Sequence, residues 1–190
     1  MVIRRIDPDI IQNLAPSRRL MRESGEWKPT GYRSHTIGQI ISNGSELIGS
    51  DVTIAGYAET IRGRGAICFV MLRDGTGRIQ AFLKKDNIEE GLFARIQSAT
   101  RESTIQVSGK VAQKRPPKVP DGEPLPPPEF EITVTSGEIL TDASAPLPVG
   151  VIDEVNVGLD IRLDNRHLDV RRKHVNAMFQ LRSRVLQYGR

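Results

Sequence analysis

Five stretches between residues 51 and 140 alternate apolar and polar side chains, and turn-forming residues separate them. Alternation with a period of two places every second side chain on the same face of a β-strand. The predicted strands cover residues 51–61, 66–74, 77–85, 103–113 and 129–140, and a predicted helix covers residues 88–99. We therefore expect a five-stranded β-structure with a helix between the third and the fourth strands.

This order of elements is that of an OB-fold, a five-stranded Greek-key barrel in which the face of strands two and three binds oligonucleotides. The predicted fold class is all-β with short helices. We expect a short helical leader before the barrel, and a hinge and one further helix after it. The predicted boundaries are residues 1–35 for a basic N-terminal extension, 36–142 for the barrel, 143–172 for the hinge and 173–190 for the start of another domain.

The tight turn between the second and third strands fixes their register. Gly75 and Thr76 suit a two-residue type II′ loop, in which Gly75 takes a positive φ and Asp74 pairs with Gly77. One face of this hairpin is then apolar, as a barrel interior requires, with Cys68, Val70, Leu72, Ile79, Ala81 and Leu83. The other face predicts a ligand surface, because it mixes aromatic, cationic and amide groups: Phe69, Met71, Arg73, Arg78, Gln80 and Phe82.

Two residues of that outer face form a predicted base-binding pair. Phe69 lies diagonal to Gln80 across the strands, near enough for one base to stack on the ring while the amide bonds its edge. Two other interpretations stay open. Phe69 and Phe82 could cover the barrel beneath a helix, and Arg73 could be an ion-pair partner of Asp74.

The predicted turn between the first two strands is glycine-rich and basic, with the sequence IRGRGA. It places Arg62 and Arg64 among glycines whose open backbone lets a phosphate or a base approach. The sequence has no GxGxxG motif and no P-loop, so it does not indicate a nucleotide-cofactor fold.

Composition excludes several classes of protein. The single cysteine, Cys68, rules out an internal disulfide framework and is predicted to be a small buried hydrophobe, and the three dispersed histidines do not have zinc-ligand spacing. The same cysteine and histidine pattern favours a reducing, cytoplasmic setting, and no metal site is expected. No apolar run approaches the roughly 20 residues of a membrane span, so no membrane segment is expected. The 27 basic against 23 acidic residues, with pI ≈ 9.5, favour an anionic partner.

The segments around the barrel carry weaker signals. Two short helices are predicted in the leader, one of them basic, and the proline-rich run KRPPKVPDGEPLPPPEF predicts a stiff exposed loop between strands four and five. The run LDIRLDNRHLDVRR, residues 159–172, shows neither helical nor strand periodicity. Its aliphatic residues interleaved with Asp/Arg pairs predict a segment clamped by ion pairs between two folded bodies. A helix should follow, because apolar residues recur at helical spacing from Val175 to Leu186.

Two separated motifs resemble one known family. The passage IRLDNRHLDVRRKHVNAMFQLRSRVL resembles the segment by which aspartyl-tRNA synthetases of the archaeal and eukaryotic type leave their anticodon domain and enter the catalytic domain. Upstream, VTIAGYAETIRGRGAICFVMLRDGTGRIQAFL is similar to the first three strands of that family, including its FxxLRD…G…Q pattern. The resemblance covers residues 32–190, nearly the whole chain.

The resemblance implies roles for four residues. It implies that Phe69 stacks on the middle anticodon base and that Gln80 hydrogen-bonds the same base. Arg62 best matches a first-strand arginine, a residue type that serves a guanine edge or a phosphate, and Glu131 best matches a fifth-strand glutamate, which would accept from an exocyclic amine. The candidate RNA-binding residues are therefore Arg62, Arg64, Phe69, Arg73, Arg78, Gln80 and Glu131, and no catalytic or metal-binding residue is predicted.

The resemblance also implies the partner and the parent activity. The partner would be the anticodon stem-loop of tRNA(Asp), and the full-length parent would be a homodimer that charges this tRNA with aspartate using ATP. The class II motifs that serve ATP and Mg²⁺ are absent from the 190 residues. We therefore expect residues 173–190 to begin a catalytic domain, and the chain alone to bind no cofactor and to lack catalysis.

Several alternatives remain open. The barrel could be a general single-stranded nucleic-acid-binding OB module, the anticodon domain of an asparaginyl- or lysyl-tRNA synthetase, or a surface for protein assembly. The IRGRGA turn and Glu59 depart from the usual pattern of the family. These departures leave open how strictly tRNA(Asp) is distinguished from tRNA(Asn), whose anticodon differs only in its third base.

Overall fold

The computed structural model describes residues 31–115, 128–144, 146–152 and 157–189, apart from the side chain of Glu90. Contacts divide the chain into two compact units, residues 1–143 and 144–190. The predicted leader helices and most of the predicted proline-rich loop lie outside the described residues. Within the described ranges, no helix has the length and apolar character to cross a membrane.

The first unit contains a closed barrel of five strands, as the sequence predicted. The strands are β1 (Asp51–Arg64), β2 (Ile67–Arg73), β3 (Arg78–Lys84), β4 (Thr104–Gln113) and β5 (Phe130–Thr141). They are ordered β1-β2-β3-β5-β4 with β4 closing on β1, and only the pairing of β3 with β5 is parallel. Helix α1 (Ile37–Leu47) precedes the barrel, and α2 (Glu90–Ser98) lies between β3 and β4.

The β1–β2 connection is shorter than predicted. Strand β1 continues to Arg64, so that Arg62 and Arg64 belong to the sheet rather than to a loop. The turn is reduced to Gly65 and Ala66, and Gly65 has φ +61°, a conformation that favours glycine. The two arginines are thus held in the regular geometry of a strand.

Alternate residues of the strands fill the barrel. All six predicted interior residues of β2 and β3 are buried, namely Cys68, Val70, Leu72, Ile79, Ala81 and Leu83. Strands β4 and β5 contribute Ile105, Val107, Val111, Ile132 and Val134 to the same core. Burial raises the pKa of the Cys68 thiol, which agrees with its prediction as a packing residue.

The register of the β2–β3 hairpin is the predicted one, but the predicted turn type is wrong. The Asp74 N–H donates to the Gly77 carbonyl at 3.0 Å, and every expected pair between the two strands is present. Gly75 does not take the positive φ of a type II′ loop, since among the described glycines only Gly49 and Gly65 do. The turn therefore needs another stabilising group.

That group is the side chain of Asp74, which also ties the turn to α1, a helix that sequence analysis did not predict. Its Oδ1 accepts from the N–H groups of Thr76 at 2.7 Å and of Gly77 at 3.0 Å. Its Oδ2 accepts from the Ile37 N–H at 3.0 Å, and the Thr76 hydroxyl accepts from the Gly38 N–H at 2.8 Å. The first N–H groups of a helix have no partner within the helix, so the hairpin supplies acceptors for two of them.

Helix α1 is further held by its own cap and by close packing. Thr36 Oγ1 accepts from the Gln39 N–H at 3.2 Å, and Gln39 Oε1 accepts from the Thr36 N–H at 2.8 Å, which is a capping box. Ile40 is fully buried in the barrel core. Gly44 lies against the Phe130 ring, where any Cβ would clash. The helix thus covers the barrel through small and apolar contacts.

The second unit is helical where the sequence showed no periodicity. It contains α3 (Leu159–Asp164), α4 (Arg166–Asp169) and α5 (Lys173–Tyr188), the last of which agrees with the predicted helix. Val149, Val151 and Leu168 form a small apolar cluster in this unit.

The ion pairs of the second unit converge on Asp169, whose side chain is fully buried. Its carboxylate lies 2.9 Å from Arg162 Nε, 2.6 Å from Arg166 Nη1 and 3.7 Å from Arg172 Nη1. The hydrogen bond from Arg162 and the charges of the three arginines hold the pKa of Asp169 below its ordinary value, although burial opposes this shift. All four residues belong to the segment 159–172, so these ion pairs tie the segment to itself. The clamp of this segment between two bodies stays a prediction.

Candidate nucleic-acid interface

The outer face of β1, β2 and β3 presents its side chains in rows that run across the strands. Directly paired residues of an antiparallel ladder point to the same face. We name three rows by one member each: the Gln80 row (Thr60, Met71, Gln80), the Phe69 row (Arg62, Phe69, Phe82) and the Arg64 row (Arg64, Ile67, Lys84). The parallel pairing of β3 with β5 adds Glu131 to the Gln80 row.

A β-bulge at Glu59 determines which residues of β1 join these rows. The register with β2 shifts between Ala58 and Thr60, and both Ala58 and Glu59 are buried. Beyond the bulge, Ile61 packs against the core, so Thr60 and Arg62 point outward. A shift by one residue moves every later side chain to the opposite face. Without the bulge, Arg62 would point into the barrel.

The Gln80 and Phe69 rows border a shallow cleft of about 280 Å³. Phe69 is 38% exposed, and its ring lies beside that of Phe82 with the centroids 5.2 Å apart and the planes inclined by 36°. Aromatic rings on such sheets bind bases by stacking. The lining residues are Thr60, Arg62, Phe69, Met71 and Gln80.

The hydrogen-bonding groups of the cleft are fixed on one side. Gln80 Nε2 donates to Glu131 Oε2 at 2.8 Å. An ionised carboxylate only accepts hydrogen bonds, so the NH₂ end of the Gln80 amide must face Glu131. One N–H and the Oε1 of Gln80 remain for a ligand. Arg62, which is exposed, adds a cation that makes no ion pair within the described part of the chain.

The structure places Arg73 and Arg78 beside the Gln80 row but outside the cleft lining. Arg73 Nη2 donates to both carboxylate oxygens of Glu102, at 2.9 and 3.1 Å, and Arg73 Nε lies 3.6 Å from Glu59. Arg78 Nη1 lies 3.5 Å from Glu59, and its side chain is 72% exposed. Arg73 is therefore an ion-pair residue, as one interpretation held, although the partners found are Glu102 and Glu59 rather than Asp74. RNA binding by Arg73 and Arg78 stays a prediction.

The structure thus brings part of the predicted set together. Arg62, Phe69 and Gln80 line one cleft, Glu131 reaches it through Gln80, and Arg64 lies in the next row. Sequence reasoning missed Thr60, because the alternation of β1 gives no sign of the bulge. Met71 belonged to the predicted outer face, and its position in the lining follows from the hairpin register alone.

Comparison with known proteins connects this geometry to a family. Residues 52–140 match the tRNA anticodon family of OB-fold nucleic acid binding domains. The chain is 39% identical over 142 residues to the Aspartate–tRNA(Asp/Asn) ligase of Haloquadratum walsbyi, an alignment that covers 75% of this chain and 31% of that protein.

Solved structures of aminoacyl-tRNA synthetases are similar to this chain in fold. A putative aspartyl-tRNA synthetase from Leishmania major Friedlin superposes with a TM-score of 0.67 at 26% identity, covering 86% of this chain and 32% of its own. The asparaginyl-tRNA synthetase from Pyrococcus horikoshii gives 0.65 at 25% identity, with 80% and 33% covered. This chain spans about a third of the length of these relatives. The fold and the relatives together show that the chain carries an OB-fold domain of the tRNA anticodon family and is similar to about a third of the length of aspartyl- and asparaginyl-tRNA synthetases.

Proposed function

We propose that the barrel binds the anticodon loop of tRNA(Asp) and that the cleft receives its middle base, uracil. One observation carries the proposal: an exposed aromatic ring, Phe69, lies beside Gln80, an amide whose orientation is fixed by Glu131. A base that enters the cleft can stack on the ring and present its edge to the amide. Stacking of this kind contributes about 1–3 kcal/mol per base.

The neighbouring rows supply positive charge for the RNA backbone. Arg62 is paired directly with Phe69 across β1 and β2. In the next row, Arg64 and Lys84 lie on either side of Ile67. Arginine and lysine bound to phosphates displace counterions, so affinity should fall with salt. The proposed binding mode thus combines base stacking, edge hydrogen bonds and phosphate contacts.

We further propose that the parent protein is an ATP-dependent aspartate–tRNA ligase that acts as a cytoplasmic homodimer. The names of the relatives support the assignment as an aspartate–tRNA ligase. Catalysis, with ATP and Mg²⁺, would reside in the two thirds of their length that this chain does not span. No residue described in this structure is assigned to those groups.

A cleft for the middle base does not separate tRNA(Asp) from tRNA(Asn), because both anticodons carry uracil there. The name of the Haloquadratum walsbyi protein includes both tRNAs. We therefore propose that this barrel accepts both, and that any distinction depends on contacts to the third anticodon base.

The test is fluorescence-anisotropy binding of this chain to an aspartate tRNA transcript and to one with cytosine as the middle base. The wild type should prefer the uracil transcript. Phe69→Ala should weaken that binding by roughly 5- to 150-fold, the equivalent of one lost stack. Tyr32→Ala is the matched control, because Tyr32 is an aromatic residue of the same unit, 64% exposed, that does not line the cleft.

Each alternative predicts a different result. A general single-strand binder would bind both transcripts equally, with a steep salt dependence. A protein-assembly surface would bind neither transcript. Equal binding that Phe69→Ala leaves unchanged would overturn the proposed site.

A further inference from the structure

We propose that Glu131 is a positioning residue that sets the preference for uracil by locking the amide of Gln80, a proposal that rests on the proposed function. The two residues are 51 positions apart in the chain and meet because β3 pairs with β5. Their hydrogen bond, at 2.8 Å, runs from Gln80 Nε2 to Glu131 Oε2. Glu131 therefore acts on the base through Gln80.

An unrestrained glutamine would read bases less selectively. A free amide can rotate by half a turn and exchange its donor and acceptor. If the Gln80 amide rotated here, its Oε1 would face the Glu131 carboxylate, and two acceptors would oppose each other. The carboxylate thus leaves one orientation, in which the cleft presents Oε1 and the remaining N–H of Gln80.

This orientation matches the edge of uracil. Uracil offers the N3–H donor beside a carbonyl acceptor, so N3–H can donate to Gln80 Oε1 while the free Gln80 N–H donates to that carbonyl. Cytosine held in the same position presents the acceptor N3 to the acceptor Oε1. A polar site that leaves a buried group unpaired rejects the wrong partner. The ring of Phe69, in contrast, stacks on either base.

The test uses stem-loop RNAs with the anticodon loop of tRNA(Asp) and either uracil or cytosine in the middle, titrated against the 190-residue chain. Glu131→Ala should reduce the uracil-over-cytosine ratio of affinities by about two- to tenfold, the equivalent of one hydrogen bond. Cytosine binding should become tighter relative to uracil binding. Glu131→Gln should give an intermediate ratio, because an amide can partner either orientation of Gln80.

Glu138→Ala is the matched control. Glu138 lies on the same strand and is exposed, and it also pairs with a glutamine, Gln106. The amide of Gln106, however, donates to the Tyr32 carbonyl at 2.8 Å. This variant removes the same charge, so it measures the general change in RNA attraction, and its uracil-over-cytosine ratio should equal that of the wild type.

A double-mutant cycle with Gln80→Ala decides whether Glu131 acts through Gln80. In the Gln80→Ala background, Glu131→Ala should change the ratio no further. Additive losses would overturn the proposal and indicate a direct contact between Glu131 and the RNA. If the wild type shows no preference for uracil, the proposed function is overturned as well. If the wild type prefers uracil but the losses in the double-mutant cycle are additive, only the role of Glu131 is overturned.

Discussion

Replacement of Asp74 by alanine should uncouple the β2–β3 hairpin from helix α1. The Asp74 side chain is 7% exposed and accepts hydrogen bonds from three backbone N–H groups, those of Thr76, Gly77 and Ile37. It also accepts from the Thr76 hydroxyl at 2.6 Å. Alanine would leave all these donors without this partner, including one at the N-terminus of α1.

The expected cost follows from these contacts. Loss of a capping acceptor costs about 0.5–2 kcal/mol, and hydrogen bonds to a charged group are worth about 1.5–3 kcal/mol each. The N–H groups of Thr76 and Gly77 can form hydrogen bonds to water instead, so the loss of their bonds to Asp74 costs less. The free energy of unfolding should therefore fall by about 2–4 kcal/mol in Asp74→Ala. For a domain of this size the midpoint of thermal unfolding should fall by roughly 10–20 °C.

Circular dichroism melts and native-state hydrogen exchange measure this effect. The Ile37 and Gly38 amides should lose protection first in Asp74→Ala, because they bond to the turn. Asp74→Asn should fall between the wild type and alanine, since an amide keeps only one acceptor. The control is Asp51→Ala, which removes an exposed aspartate of β1. An Asp74→Ala protein within about 0.5 kcal/mol of the wild type, the range of ordinary surface changes, would refute this account of the turn.

Two further predictions concern the charged residues. The pKa of Asp169 is held below its unfolded value, so its ion pairs contribute stability that is complete above about pH 4 and is lost as the pH falls through the folded pKa. Hydrogen exchange of α3 and α4 between pH 7 and pH 3 should show this loss of stability, and the Asp169→Asn variant should not show it. Arg64→Ser should lower the slope of log affinity against log salt by about 0.7, the equivalent of one single-strand phosphate contact. The preference for uracil should stay unchanged. An unchanged slope would show that Arg64 does not contact the RNA.

The strands and the hairpin register were predictable because a period of two is a local signal. Once the turn between β2 and β3 was placed, the inner and outer faces followed residue by residue, and the diagonal of Phe69 and Gln80 came with them. The same reasoning identified Cys68 as a core residue, because its strand neighbours with the same parity are apolar. These results needed no contact between distant parts of the chain.

The features that the sequence did not reveal depend on such distant contacts. The bulge at Glu59 breaks the alternation of β1, and the carboxylate of Glu59 is near arginines of β2 and β3. Helix α1 receives part of its N-terminal cap from Asp74, 37 residues away from Ile37. The helices of residues 159–169 are short, with their hydrogen bonds and ion pairs centred on Asp169, and four to six residues are too few for apolar periodicity to appear.

The same division between local and distant contacts separates affinity from specificity in the cleft. Phe69, Phe82 and Arg62 come together through the β1–β2–β3 meander, whose strands are joined by tight turns. The bond between Gln80 and Glu131 exists only when β5 pairs with β3 and closes the barrel. A perturbation that loosens β5 should therefore reduce the distinction between uracil and cytosine before it reduces stacking affinity. In this barrel the two hairpins bring the stacking residues together, whereas the proposed selectivity for uracil depends on the pairing of β5 with β3.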